Sequence, residues 1–140
     1  MRNNDNRAWA IVQNMLDNDR FSQWLGLKLL NVDNGYCQLE VTITADMLNG
    51  FKSVQGGVLF SAADSAFAFA CNTCGMVTVA LDASISFALP AYEGDVLTVE
   101  AHVLHEGRKT AICEVRVYNT KAEVLAIFKG TAYKTGQAHV

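Results

Sequence analysis

The most informative segment of the sequence reads Gly56-Gly57-Val58-Leu59-Phe60-Ser61-Ala62-Ala63-Asp64-Ser65-Ala66-Phe67-Ala68-Phe69-Ala70-Cys71-Asn72. Alanine is frequent in it, and apolar residues occupy nearly every side of a helix that we predict from Gly56 to about Cys74. A helix that is apolar all round is a buried helix. Gly75 predicts its end, because glycine commonly closes helices. The rest of the chain must therefore surround this segment.

The flanking sequence supplies strands to do so. A first amphipathic helix is predicted from about Asn4 to Leu16, since its apolar positions recur at helical spacing. Two strands, Leu27 to Val32 and Tyr36 to Thr44, flank an Asn-Gly turn, which is a strong hairpin signal. Four more strands are predicted after the buried helix: Val77 to Leu89, Val96 to His105, Thr110 to Tyr118 and Val124 to Lys134. Strands joined by hairpins imply an antiparallel sheet, so we predict an α+β fold in which that sheet wraps the central helix.

Length and charge narrow the functional classes. The 140 residues fit a single domain, residues 1–140. A net charge of -3 and a pI near 5.5 argue against nucleic acid as a partner. No apolar run reaches the length of a membrane span, and the N-terminal residues lack the apolar core of a secretory signal. We expect a cytoplasmic protein with no membrane partner, whose four cysteines are buried free thiols.

Asp64 is the first candidate for chemistry. Its helical neighbours Phe60, Phe67 and Ala68 are apolar, so the carboxylate is expected to be poorly solvated and its pKa to rise. Ionisable groups with shifted pKa values cluster at functional sites. The alternative is a structural aspartate whose carboxylate is hydrogen-bonded to a neighbouring serine or to a partner chain.

Gly56 and Gly57 are the second candidate. The start of a helix has unpaired N–H groups and the positive end of the helix dipole. Two glycines there allow a ligand to approach the backbone closely, which suits a carbonyl oxygen that becomes negative in a transition state. The alternative is that the glycines only open the junction between loop and helix.

The spacing of the two candidates implies more than one chain. Gly56 and Asp64 are eight residues apart, which is about 12 Å along a helix. One reacting carbonyl cannot lie about 3 Å from both groups of the same chain. If both act on one substrate, they come from different protomers, and the active protein is at least a dimer with symmetric sites.

The segment that contains these candidates resembles the hotdog-fold acyl-CoA thioesterases of the phenylacetic-acid-degradation type. The matching residues are Met47-Leu48-Asn49-Gly50 and the stretch from Gly56 to Asn72 quoted above. The order of the predicted elements also agrees with that family over nearly the whole chain. The resemblance implies a hotdog fold and hydrolysis of acyl-CoA to a free acid and coenzyme A, with phenylacetyl or hydroxyphenylacetyl as the first acyl groups to consider.

The resemblance also implies roles for residues in the centre. Gly56 would polarise the thioester carbonyl through its backbone N–H, with Asn49 nearby to position substrate or water. Asp64 of the partner chain would act as a general base or as a nucleophile. Gln55 and Gly57 would contact the substrate.

Binding and assembly follow from the same resemblance. Coenzyme A would lie in a groove between subunits, where Arg108 and Lys109 are candidates to meet its phosphates; the alternative is a solvated hairpin tip. The enzyme would be a homodimer or homotetramer with active sites at the dimer interface. It would need no metal and no organic cofactor, because coenzyme A is part of the substrate.

One departure from the family pattern leaves a second function open. The family often has histidine before the two glycines, where this chain has Gln55, and relatives can have histidine at the position of Phe51. A glutamine amide donates a hydrogen bond but does not titrate. The alternative function is therefore a non-catalytic protein that binds or senses acyl-CoA.

Overall fold

A computed structural model describes residues 6–139 of the chain. The helices are α1 (Asn6–Asp17), α2 (Arg20–Leu25) and α3 (Gly56–Asn72), and a short 3-10 turn covers Ala45–Met47. The strands are β1 (Lys28–Asp33), β2 (Tyr36–Thr42), β3 (Met76–Phe87), β4 (Val96–Glu106), β5 (Thr110–Tyr118) and β6 (Val124–Ala138). Every predicted element is present, although Asn4 and Asp5 of the first predicted helix lie outside the described residues.

Helix α3 forms the centre of the fold, as its composition predicted. Phe67 and Phe69 are each 1% exposed, and most other side chains of the helix are buried. The helix ends at Asn72, two residues before the predicted end at Cys74. The Asn72 side chain explains the early end, because its amide nitrogen donates to the carbonyls of Ala68 (2.7 Å) and Thr78 (3.0 Å). These bonds tie the end of α3 to the start of β3.

A single antiparallel sheet of six strands wraps α3 in the order β1-β2-β4-β5-β6-β3. Apolar side chains alternate along β2, β4 and β5, so that each strand turns one buried face toward the helix. The contact is closest at Gly130 of β6, where a Cβ atom would lie 2.7 Å from the Phe67 ring. The architecture is the predicted hotdog arrangement.

The hairpin between β1 and β2 lies where it was predicted. Asp33 pairs with Tyr36 across a two-residue turn. Of the two turn residues only Gly35 has a positive φ, at 70°. The Gly35 N–H donates to the Thr73 hydroxyl at 2.8 Å, which anchors the hairpin to the end of α3.

Strand β3 lies at one edge of the sheet and pairs with β6 on one side. Its apolar residues Val79, Leu81 and Phe87 are 47%, 60% and 54% exposed. The strand ends at Phe87, two residues before the predicted end, whereas its partner β6 continues to Ala138, past the predicted end at Lys134. A long edge strand with exposed apolar side chains is a surface at which another chain can add.

Two predictions made from composition can be compared with the described residues. Among the described helices, none combines the length and the apolar character that crossing a bilayer requires. The four cysteines are all free, and Cys37, Cys71 and Cys113 are buried as expected, but Cys74 is only half-buried.

Candidate active site

The start of α3 is built by the segment that precedes it. The Gln55 N–H donates to the Met47 carbonyl at 2.8 Å, and the Gln55 carbonyl accepts from the Val58 N–H at 2.9 Å. The Gln55 side-chain oxygen also accepts from the Gly56 N–H at 3.2 Å. Within residues 6–139 no acceptor contacts the Gly57 N–H. The helix start therefore offers one free donor at Gly57 and a second at Gly56 that a Gln55 side-chain rotation would release.

Asn49 holds the loop before α3 in shape. Its amide oxygen accepts from the backbone N–H groups of Phe51 (2.8 Å) and Ser53 (3.3 Å), and its backbone N–H donates to the Ser53 carbonyl (2.8 Å). Its amide nitrogen donates to the Ser53 hydroxyl at 3.2 Å, which occupies one of two amide hydrogens. Asn49 thus has a structural task in its own loop and retains one donor for a ligand.

The Asp64 carboxylate is half-buried and has no hydrogen-bond or ion-pair partner within residues 6–139. Burial raises the pKa of this carboxyl above its ordinary value, and the nearby negative charge of Asp19 raises the pKa further. The neighbouring serine does not satisfy it, because the Ser65 hydroxyl bonds to the Ser22 hydroxyl at 2.8 Å. Within the described part of one chain, Asp64 is therefore not a structural aspartate held by a serine.

Asp64 lies on the one side of α3 that the sheet leaves open. Gly57, Ser61, Asp64 and Ala68 are the partly or fully exposed residues that recur at three- or four-residue intervals, so they share one face of the helix. Gly57 and Asp64 are seven residues apart, which is about 10 Å along the axis. The fold puts the helix start and the carboxylate on the same open face but does not bring them together within one chain.

One groove adjoins the start of α3, and a second groove lies beside the first. The first, of about 360 Å³, is lined by Gly56 and by the ring of Phe87, and it extends to Pro90. The second, of about 460 Å³, shares Leu89 and Pro90 with the first and continues to Lys121 in the β5–β6 turn. The second groove contains an exposed cation, Lys121, that the sequence analysis did not single out, and the carboxylate residues Asp95 and Glu123 also line it.

Arg108 and Lys109 lie in the turn between β4 and β5, at the far end of α3 from Gly56. The turn is held by Lys134, whose backbone N–H donates to the Lys109 carbonyl and whose ammonium donates to the Gly107 carbonyl, both at 2.8 Å. Lys134 pairs with Thr78, which the end of α3 contacts through Asn72. Within one chain the two predicted phosphate ligands are therefore remote from the helix start.

Asp19 lies near the candidate site, and, as with Lys121, sequence patterns did not predict that position. An aspartate just before a short helix signals an N-cap, and Asp19 does accept from the Ser22 N–H at 2.9 Å. Its proximity to Asp64 depends on how α2 packs against α3, for which the sequence has no local signal. No group of three or more histidine, cysteine, aspartate or glutamate residues able to hold a metal ion occurs in residues 6–139.

Comparisons with known proteins agree with this fold. A family model described as the thioesterase superfamily matches residues 51–126. The chain is 38% identical to acyl-coenzyme A thioesterase PaaI of Escherichia coli strain K12 over 130 residues, which is 93% of each chain. It superposes on the structure of the E. coli PaaI protein from the phenylacetic acid degradation operon with a TM-score of 0.92, covering 94% of this chain and 96% of that one. A phenylacetic acid degradation protein PaaI from Thermus thermophilus, in a mutant structure, is 34% identical with a TM-score of 0.80, covering 83% of this chain and 99% of that one.

Proposed function

The chain belongs to the thioesterase superfamily and is an acyl-CoA thioester hydrolase, and we propose that each catalytic centre combines Asp64 of one protomer with the start of helix α3 of a second protomer. The observation that carries this proposal is the Asp64 carboxylate, which has a raised pKa, no partner within residues 6–139 and a position on the open face of α3. A carboxylate in that environment is a stronger base than an exposed one.

Strand β3 supplies the surface for the second protomer. It is 12 residues long, lies at the sheet edge and exposes Val79, Leu81 and Phe87. Two copies of one strand can pair antiparallel about a two-fold axis, which extends the sheet and covers the exposed apolar residues. The active protein is then a homodimer with two equivalent centres at its interface. Association of two dimers into a homotetramer remains a prediction from the family resemblance.

The reaction follows from the two halves of the centre. The Gly57 N–H, joined by the Gly56 N–H once Gln55 turns away, donates to the thioester carbonyl oxygen and stabilises its negative charge. Asp64 takes a proton from water as the water oxygen attacks the carbonyl carbon, or attacks that carbon itself before water releases the acid. In either route the carbon–sulfur bond breaks, and the thiolate of coenzyme A leaves and is protonated.

Gln55 takes the place of the family's usual histidine and sets a limit on the proton chemistry. Its amide does not titrate, so Asp64 is the titrating group of the proposed centre. The Gln55 amide nitrogen remains able to donate a hydrogen bond to a substrate oxygen or to the attacking water. Tight binding of acyl-CoA without thiol release would instead identify a binding or sensing protein.

We propose that coenzyme A follows the grooves beside the helix start. The path runs from Gly56 past Pro90 to Lys121, whose ammonium is suited to a phosphate. Arg108 and Lys109 would contribute only if another protomer presents its β4–β5 turn to this path. Measuring KM for Lys121→Ala beside Lys109→Ala discriminates between the two locations, because only the variant at the phosphate site should raise KM at low ionic strength.

The acyl group proposed first is aromatic, such as phenylacetyl or hydroxyphenylacetyl. Phe60 lies half-buried on α3, with its ring packed edge-on against Phe128 at a centroid distance of 5.3 Å, and offers an aromatic edge near the open helix face. The similar E. coli protein comes from a phenylacetic acid degradation operon. The chemistry requires no metal and no organic cofactor, because water and Asp64 supply the nucleophile and the base. A cytoplasmic location likewise remains a proposal.

The first test measures thiol release from a panel of short-chain, long-chain and aromatic acyl-CoAs, beside Asp64→Asn. A second test examines the sharing of a centre between protomers. Asp64→Asn and Gly57→Val homodimers should both be inactive, but a co-refolded mixture should regain about a quarter of wild-type activity, since half of the dimers are mixed and each has one intact centre. No recovery in a mixture shown to contain mixed dimers would contradict a centre built from two chains.

A further inference from the structure

A buried chain of hydrogen bonds joins α2 to α3 beside Asp64. One Asp19 carboxylate oxygen accepts from the Ser22 N–H at 2.9 Å, and the other accepts from the Ser22 hydroxyl at 2.6 Å. The Ser22 hydroxyl also lies 2.8 Å from the Ser65 hydroxyl. Because the single Ser22 hydroxyl proton goes to Asp19, Ser65 is the donor in the second bond.

This chain ties Asp19 to Ser65, the residue that follows the proposed catalytic Asp64. Ser22 is fully buried and Ser65 is 9% exposed, so the two hydroxyls are shielded from water. Ser65 directly follows Asp64 in the helix, and two hydrogen bonds connect Ser65 to Asp19 through Ser22. The negative charge of Asp19 adds to burial in raising the pKa of Asp64.

The sheet and α1 pack mainly apolar side chains against α3, apart from the Cys113 thiol beside Cys71 and the Thr78 backbone bonded to Asn72. The buried side chains of the sheet and of α1 that form the core with α3 include Leu39, Val99, Val115, Phe128 and Val12. Among residues 6–139, Asp19 is the charged residue whose electrostatic effect raises the pKa of Asp64. Within residues 6–139, burial is the larger cause of the raised pKa of Asp64, and the negative charge of Asp19 is the second cause.

We propose that Asp19 is a positioning residue for the hydrolysis, held by Ser22 and Ser65 so that its fixed negative charge makes Asp64 a stronger base. The inference rests on the proposed function, because it needs Asp64 to take part in the reaction. Asp19 itself touches neither water nor substrate in the reaction, and its effect passes through Asp64. The competing explanation is that Asp19 only caps α2, which predicts a loss of stability but no change in how activity depends on pH.

The test compares the pH dependence of kcat/KM for the wild type, Asp19→Asn and Asp17→Asn. Asparagine caps helices about as well as aspartate, so Asp19→Asn removes the charge and keeps an acceptor for the Ser22 N–H. Asp17→Asn removes the same charge from an exposed carboxylate whose side-chain partner is Gln13. If Asp19→Asn does not fold, Asp19→Ser removes the charge and still supplies a capping hydroxyl.

The expected result is that the acid limb of the profile moves to lower pH in Asp19→Asn, because Asp64 then loses its proton more readily, and stays in place in Asp17→Asn. The rate on the plateau above that limb should also fall in Asp19→Asn, since a weaker base accepts the proton less readily. An Asp19→Asn profile with its acid limb unmoved overturns the inference, whatever its plateau.

Asp64→Asn separates this inference from the proposed function. If Asp64→Asn is inactive and the acid limb of Asp19→Asn is unmoved, the proposed function stands and the role of Asp19 fails. If Asp64→Asn retains wild-type turnover, the proposed role of Asp64 in the centre fails and the role of Asp19 fails with it, although the protein still hydrolyses acyl-CoA.

Discussion

Replacing Gly57 by alanine should make the protein slightly more stable and much less active. Gly57 is the second residue of α3, and its backbone is helical, so alanine can adopt the same conformation. The nearest atom to an added Cβ, apart from adjacent residues and the helix backbone, is the Gln55 Cγ at 3.9 Å, an ordinary contact. Alanine is favoured over glycine in a helix by about 0.5–1 kcal/mol.

The two effects of this change have opposite signs. The free energy of unfolding should rise by up to that amount, which corresponds to an increase in Tm of about 1 to 4 °C. The same methyl group occupies the space through which a carbonyl oxygen would approach the Gly57 N–H. A displacement of the reacting carbonyl by about 1 Å can lower the rate about 10²-fold. We therefore expect kcat/KM to fall by about that factor.

Calorimetry and thiol release from acyl-CoA measure the two effects separately. Gly56→Ala is the comparison, because its Cβ would lie 3.0 Å from the Phe87 ring and should cancel the gain in stability. A Gly57→Ala protein with raised Tm and wild-type kcat/KM would refute the assignment of the carbonyl site to this helix start. A lowered Tm would show instead that the helix start is packed differently from the described geometry.

Three further changes should have distinct outcomes. Asp64→Asn should lower kcat by about 10²- to 10⁴-fold, the usual contribution of a general base, in steady-state thiol release. The same variant should melt at a higher temperature than wild type at neutral pH. Burial raises the folded-state pKa of Asp64, so the wild type is stabilised at low pH, where its carboxyl is neutral. The wild type loses that stability as the pH rises through the folded-state pKa. The difference in Tm should vanish below the unfolded-state pKa, and a difference constant with pH would contradict the burial argument. Gly130→Ala should cost about 1–3 kcal/mol in urea unfolding, because its Cβ would lie 2.7 Å from the buried Phe67 ring, and an unchanged midpoint would mean that the ring can move aside. Asn49→Ala should release the loop that its amide holds through Ser53 and raise KM in initial-rate assays, whereas an unchanged KM would separate the loop from substrate binding.

Residue pattern alone predicted α1, α3 and the six strands of the described chain, but not where several of them end. The two-residue alternation fixed the faces of β2, β4 and β5, and apolar residues on all sides of Gly56–Asn72 predicted a buried helix. The end of α3 was misplaced because it depends on Asn72, whose side chain bonds to Thr78 of a strand that follows. Likewise β6 extends beyond Lys134 because it pairs with β3 as far as Met76.

The residues of the candidate site were likewise predicted only in part from the sequence. Asp64 and the two glycines were recognisable because an acidic residue in an apolar helix and glycines at its start are local patterns. Asp19 was not, because its closeness to Asp64 arises from the packing of α2 on α3 through Ser22 and Ser65. Lys121 was not, because the groove that leads to it is formed by segments distant in sequence.

The sequence by itself determined the central helix and the sheet that must cover it, and it predicted that a centre using both Gly56 and Asp64 needs a second chain. These follow from composition, from periodicity and from the rise of about 1.5 Å per residue of a helix, which act over a few neighbouring residues. Only the tertiary structure decided which N–H groups are free at the helix start, which face of α3 stays open and which charge acts on Asp64. Those properties depend on distances between residues far apart in the chain, and hydrogen bonds and electrostatic interactions are sensitive to such distances on the scale of a few ångströms.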